Sequence, residues 1–163
     1  MLFRSYTAEE LNAAWIDFGR QFEYHEYKDC FMAGGLPIVQ RLQDRHHTWV
    51  GHGIDSIIPA ALNAGLTGHP FICPDMVGGG EWLFNYLPGF KCDEELFVRM
   101  AECSALFPMI QFSWSPRRML SEENAALCLK AAEMHRDFSE IIMKAVRESA
   151  VSGEPVIRHM EYS

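Results

Sequence analysis

A chain of 163 residues, 48% hydrophobic and 22% charged, has the length and composition of one ordinary globular domain, residues 1–163. Its net charge of −8, with no stripe of Lys and Arg, excludes the electrostatics by which proteins hold nucleic acid. No apolar run approaches the ~20 residues of a bilayer span, and no basic, hydrophobic leader opens the sequence. The expectation is a soluble, cytoplasmic protein without a membrane partner.

Thr7 and Glu10 have capping-box spacing and open a helix running to Phe22, with Leu11, Ala14, Trp15, Phe18 and Phe22 on its apolar face. A second helical stretch, Tyr24 to Ala33, is expected to stop at Gly34–Gly35. Leu36 to Arg41 reads as a short buried strand, followed by a helix from about Asp55 to Ala64 with Ile57, Ile58, Ala61 and Leu62 facing the core. His69 to Asp75 is the second strand. Gly78 to Gly80 opens a loop rich in aromatics, with Trp82, Phe84, Tyr86 and Phe90. Asp93 is placed to cap a helix to about Leu106, Phe107 to Phe112 is the third strand, a long helix covers Ser121 to Ser149, and Glu154 to Met160 is the fourth strand.

Apolar strands separated by helices predict an α/β fold with a parallel sheet. Polar residues fall at the strands' C-terminal ends, where such folds bind ligands: Arg41 to Asp44, Asp75, Gln111 to Ser113, and Arg158 with His159. A closed (β/α)8 barrel takes roughly 250 residues. About four βα units therefore make either an open sheet or part of a barrel.

Four chemistries compete at those strand ends. Asp44, His46, His47 and His52 offer metal-binding groups, but adjacent histidines in an extended segment point to opposite sides and the spacing is not HExxH. Gly78 to Gly80 lacks a following Lys-Ser/Thr and is flanked by Asp75 and Glu81, which repel phosphate. Ser113 and Ser115 do not form a nucleophile elbow. The five cysteines, Cys30, Cys73, Cys92, Cys103 and Cys128, show no CxxC spacing and read as reduced core thiols. Asp44 and Asp75 each close a strand, with Trp49, Trp82, Phe84 and Trp114 around them, and carboxylates with aromatic faces and an arginine suit carbohydrate, whose rings present apolar faces and hydroxyl rims. Taken singly, either aspartate is better explained by a strand-end turn or a helix cap; the combination raises the functional reading.

Three segments carry a resemblance: GLPIVQRLQDRHHTW (35–49), LTGHPFICPDMVGGG (66–80) and FPMIQFS (107–113). Together they resemble glycoside hydrolase family 31, in its α-glucosidase- and α-galactosidase-like branch, over nearly the whole chain from about Thr7 to Tyr162. The resemblance implies the second half of a (β/α)8 barrel hydrolysing α-glycosidic bonds with retention, without a cofactor or metal. Asp44 matches the general acid/base, with Trp49 following at the family's spacing. Arg41 resembles the arginine that contacts the sugar, and Asp75 a substrate-pocket residue. Where many members carry a sugar-binding histidine, this sequence has Ser113 or its neighbours. The family's nucleophilic aspartate ends a strand upstream of Thr7 that this sequence does not contain, and Asp17, between Ile16 and Phe18, is expected within a helix. The expectation is a fragment carrying the acid/base alone and inactive in isolation, or a non-catalytic sugar-binding module. The unpaired edges of half a barrel offer a route to self-association.

Overall fold

The computed structural model describes residues 5–79, 89 and 91–162. Helix α1 (Ala8–Gly19) starts at the expected capping box: Glu10 N donates to Thr7 Oγ1 at 3.1 Å, and Thr7 N to Glu10 Oε2 at 3.0 Å. Strands β1 (Glu26–Tyr27), β2 (Val39–Arg41) and β3 (Phe71–Cys73) form a parallel sheet in that order. Strands β4 (Met76–Val77) and β5 (Gln111–Phe112) form a second parallel pair. Because β3 and β4 are consecutive pieces of the segment 71–77, the two sheets follow one line: β1, β2, β3 with β4, then β5. Helix α2 (Ile57–Leu66) precedes β3, and α3 (Glu94–Ser104) precedes β5. A short α4 (Pro116–Met119), α5 (Glu122–Asp137) and α6 (Ser139–Ser152) follow.

The main core lies between the sheet and α2, α3 and α5, where Leu42, Ile57, Ala61, Ile72, Val77, Phe97 and Met100 are buried together. A smaller core joins α1 to the start of the sheet through Ile16, Tyr27, Cys30, Ala33 and Ile38. The Tyr27 hydroxyl donates to Ile16 O at 2.8 Å, and Asn12 Nδ2 bonds Phe31 O. Parallel neighbours usually need a helical crossover of about a dozen residues. Residues 28–38 contain none, and α1 packs against this crossover instead.

Several expectations need correction. Tyr24 to Ala33 is not a helix. It holds β1, since Glu26 and Tyr27 find a ladder partner in Val39 and Gln40, and residues 28–33 turn. On α1 the buried residues are Asn12 and Ile16, whereas Leu11, Trp15, Phe18 and Phe22 are each more than half exposed. The aromatic stripe is therefore an outer ridge, with Trp15 and Phe18 rings 6.0 Å apart and Phe18 and Phe22 rings 5.4 Å apart. Ile58 likewise faces out of α2. The long helix divides at Phe138, the C-cap of α5 and N-cap of α6. Glu154 to Met160 is not a strand: Val156 N donates to Pro70 O at 3.2 Å, Pro155 has no N–H to give, and Pro155 packs on Gly65 of α2. The remaining strands are shorter than expected. The aromatic cluster at Trp82, Phe84, Tyr86 and Phe90 lies outside the described residues.

The sheet is curled. Three strand spacings separate β1 from β5, about 14 Å if the sheet were flat, and side chains stand roughly perpendicular to a sheet. Yet Gln111 Nε2 of β5 donates to Glu26 Oε2 of β1 at 2.8 Å. The two outer strands must tilt toward each other, which makes this face concave.

Candidate active site

The concave face is polar. Side chains alternate along a strand, so with Tyr27 turned out against α1, Glu26 turns in. On β2, Leu42 joins the outer core and Arg41 turns in beside Glu26. Arg41 Nη1 lies 3.3 Å from Glu26 Oε1, and its Nε lies 3.8 Å from Asp75 Oδ1. Asp75 is 1% exposed and sits at the bend between β3 and β4 with φ of 77°, a left-handed conformation that aspartate tolerates better than most residues. Its Oδ2 accepts from Arg45 N at 3.0 Å. One polar line therefore runs from Gln111 through Glu26 and Arg41 to Asp75.

Burial pushes the Asp75 carboxyl above its ordinary value, opposed first by the Arg45 amide and then by the Lys28 charge. Burial likewise lowers the Lys28 ammonium. Among the described residues neither Asp75 Oδ1 nor Arg41 Nε has a hydrogen-bond partner. One acceptor and one donor thus face each other at the non-bonded distance of 3.8 Å.

Asp44 stands at the rim, with a half-exposed side chain ion-paired to Lys28 Nζ. The cation at Asp44 is therefore Lys28 of the β1–β2 crossover. The neighbouring Arg45 is fully buried and donates from Nη1 to Ser56 Oγ at 2.7 Å. Beside the rim, Trp15, Glu26, Lys28, Asp29 and Arg41 line a groove of about 500 Å³. A groove of about 670 Å³ next to α2 is lined by Gln40, Leu42 and Asn63 among others and shares Lys28 and Asp29 with the first.

Of the other expected residues, Trp49 is placed apart from this cluster. Trp49 donates from Nε1 to Asp93 Oδ2 at 2.8 Å, at the N-terminus of α3. The Ser113 hydroxyl donates to Val77 O at 2.8 Å, next to the β4–β5 pair. Asp17 is exposed on α1. The histidines do not converge: His46 meets His52 ring to ring at 5.9 Å, while His47 Nε2 takes the Asp93 backbone N–H at 3.1 Å. Among the described residues no group of three or more His, Cys, Asp or Glu is arranged to hold a metal ion. The sequence reading placed Gln111 at a ligand-binding strand end but missed Glu26, Lys28 and Trp15 as members of the site. The signal for the first two was the alternation in HEYK (25–28), hidden by reading that stretch as a helix.

Parallel strands and the turns that follow them bring three carboxylates, an arginine and a lysine to one concave mouth of an α/β protein. No family model matches the chain. The chain is 31% identical over 143 residues to the myogenesis-regulating glycosidase of Mus musculus, covering 84% of this chain and 20% of that protein. It is 31% identical over 124 residues to the SITS-binding protein of Tetronarce californica (76% of this chain, 17% of that protein), and 26% identical over 178 residues to the sulfoquinovosidase of Escherichia coli strain K12 (96% and 26%). The chain spans about a fifth to a quarter of the length of these relatives. These relatives are members of glycoside hydrolase family 31, and the chain is similar to them over most of its own length.

Proposed function

We propose that the chain is the second half of the catalytic barrel of a retaining α-glycosidase, in which Asp44 is the general acid/base and Arg41 and Asp75 hold the sugar. The observation that carries this reading is the Glu26–Arg41–Asp75 line on a concave face. Glu26 steadies the guanidinium, and the facing donor and acceptor of Arg41 and Asp75 match a sugar hydroxyl, which both accepts and donates. The curl that brings Glu26 to Gln111 supports half a barrel over an open sheet.

Retention takes two carboxyl groups ~5–5.5 Å apart, one attacking the anomeric carbon and one protonating the leaving oxygen. In this chain Asp44 is paired with an ammonium ion. Such a partner stabilises the ionised carboxylate, so the pair must open before Asp44 can give a proton. Asp75 is committed to the Arg45 amide and is a poor nucleophile candidate. The isolated chain therefore binds sugar without hydrolysing it.

The test uses aryl α-glucosides and α-galactosides with the purified 163-residue chain. No turnover above background is expected; turnover abolished by Asp44→Asn would defeat the claim of inactivity. Calorimetry with mono- and disaccharides should detect binding that Arg41→Ala removes. Binding unaffected by Arg41→Ala would refute the site.

A non-catalytic sugar-binding module is the second reading, favoured by the Lys28–Asp44 ion pair and by a relative named for binding alone. Under it, Lys28→Met leaves sugar affinity intact, and restoring the strands that precede α1 produces no turnover.

A further inference from the structure

The groove of about 670 Å³ runs along α2, beside the crossover that joins β1 to β2. Its walls are formed within residues 28–69, well inside the chain. One wall is a single face of α2, where Ala60, Asn63, Ala64 and Thr67 recur at helical spacing. One end is shut by a close approach of two glycines. Gly35 N donates to Gly68 O at 2.7 Å, and a Cβ on Gly68 would stand 3.2 Å from Gly34 Cα.

Arg45 stands at the other end of the same helical face. It lines the groove, is fully buried, and donates from Nη1 to Ser56 Oγ at 2.7 Å, one turn before Ala60. The other edge of the guanidinium is unused. Among the described residues neither Nε nor Nη2 has a hydrogen-bond partner, and the side chain forms no ion pair. Nε and Nη2 together make the flat fork that takes both oxygens of one carboxylate. A buried guanidinium without an anion is costly, and arginine does not escape that cost by deprotonating. A second orphan lines the same groove: Gln40 Oε1 is buried with no donor among the described residues. That oxygen can only accept, so its complement carries an O–H or N–H. The other ionisable groups of the groove do not neutralise Arg45. Lys28 and Asp29 add one charge of each sign. Burial lowers the His69 imidazole and pushes the Cys30 thiol up to about 11, which keeps both uncharged at neutral pH.

We infer that this groove is a second ligand site, taking a small hydroxylated carboxylate such as a sugar acid, with its carboxylate on the Nε–Nη2 fork of Arg45 and a hydroxyl on Gln40 Oε1. The volume lies within the ~300–1,000 Å³ of small-molecule sites. The site is separate from the Glu26–Arg41–Asp75 line and does not rest on the glycosidase reading.

D-Glucuronate titrated into the isotope-labelled 163-residue chain should shift the backbone amide resonances of residues 28–34 and 60–67 in heteronuclear NMR spectra. D-Glucose lacks the carboxylate and acetate lacks the hydroxyls, so each should bind there more weakly than glucuronate. Arg45→Lys keeps the charge without the fork and should weaken glucuronate binding roughly tenfold or more, as for a lost hydrogen bond to a charged group. Asn63→Trp fills the groove from an exposed position, so it should fold as the wild type does by circular dichroism and lose the binding. Arg41→Ala should retain it. No shifts with glucuronate, equal binding of acetate or glucose, or undiminished binding in Asn63→Trp or in a folded Arg45→Lys overturns the proposal. Binding lost in Arg41→Ala overturns it too, since the ligand then sits at the strand-end site.

Discussion

Asp75 shows what one buried side chain is asked to do. Its left-handed backbone breaks the third strand, hands pairing from β2 to β5, and aims the carboxylate at Arg41. Burial raises its proton affinity in the folded state. A carboxyl raised on folding keeps more protons in the native state than in the unfolded one, so stability falls as pH rises from the ordinary aspartate value through the raised one. Urea unfolding between about pH 4 and pH 7 should show that fall for the wild type. It should be flattened in Asp75→Asn, which keeps an acceptor for the Arg45 amide and tolerates the backbone angle. An unchanged pH slope would mean that the arginines fully compensate the buried charge. Asp75 was legible as a strand-end residue, because a polar group after an apolar run of strand length marks that position. Its burial and its partners were not, since they come from residues thirty or more positions away.

At the scale of elements, α3 is held by its first residues. Asp93 accepts from Leu96 N at 3.1 Å as the N-cap and also receives the Trp49 indole. Those two hydrogen bonds, the cap first, hold its carboxyl below the ordinary range. Its contribution is therefore present above the ordinary aspartate value and fades as pH drops through the lowered one. Asp93→Ala should cost about 1 kcal/mol and shift Trp49 fluorescence, while Asp93→Asn should keep most of the stability. A second element-level weak point is Gly53, where an added Cβ would collide with Thr48 O and Oγ1. Backbone cannot yield as a flexible side chain does, so Gly53→Ala should distort the 46–53 loop and lower the thermal midpoint. An unshifted midpoint would mean that the loop opens freely. The capping box of α1 and the cap of α3 were readable from sequence, because capping is local: the partners lie three residues apart. β1 was not readable, because a two-residue strand is defined by its neighbour rather than by its own period.

Across the whole molecule, the Glu26–Gln111 contact joins the first strand to the last. Glu26 also holds Arg41, so the curl of the sheet and the position of the arginine are one feature. Glu26→Leu should cost about 1 kcal/mol, since it removes the hydrogen-bonding and charged partner of the half-buried Gln111 and Arg41. Glu26→Leu combined with Gln111→Leu should cost less than the sum of the single changes, by at least about 0.5 kcal/mol for residues in contact. Additive losses in urea unfolding would show that the contact does not hold the curl.

By itself the sequence determined the α/β class, the parallel sense of the strands, the caps of α1 and α3 and the likeness to the glycosidase relatives, all of which rest on local periodicity, turn chemistry and contiguous motifs. It also drew attention to Arg41, Asp44 and Asp75 as strand-end residues. Tertiary structure alone decided that Glu26 and Lys28 join them, that Trp49 goes to the α3 cap, and that the aromatic face of α1 points outward. The α1 stripe illustrates the physical reason. Periodicity reports that a helix has two faces, but the face that is buried depends on which neighbours stand beside it, and here Tyr27, Cys30 and Ile38 take the side bearing Asn12 and Ile16.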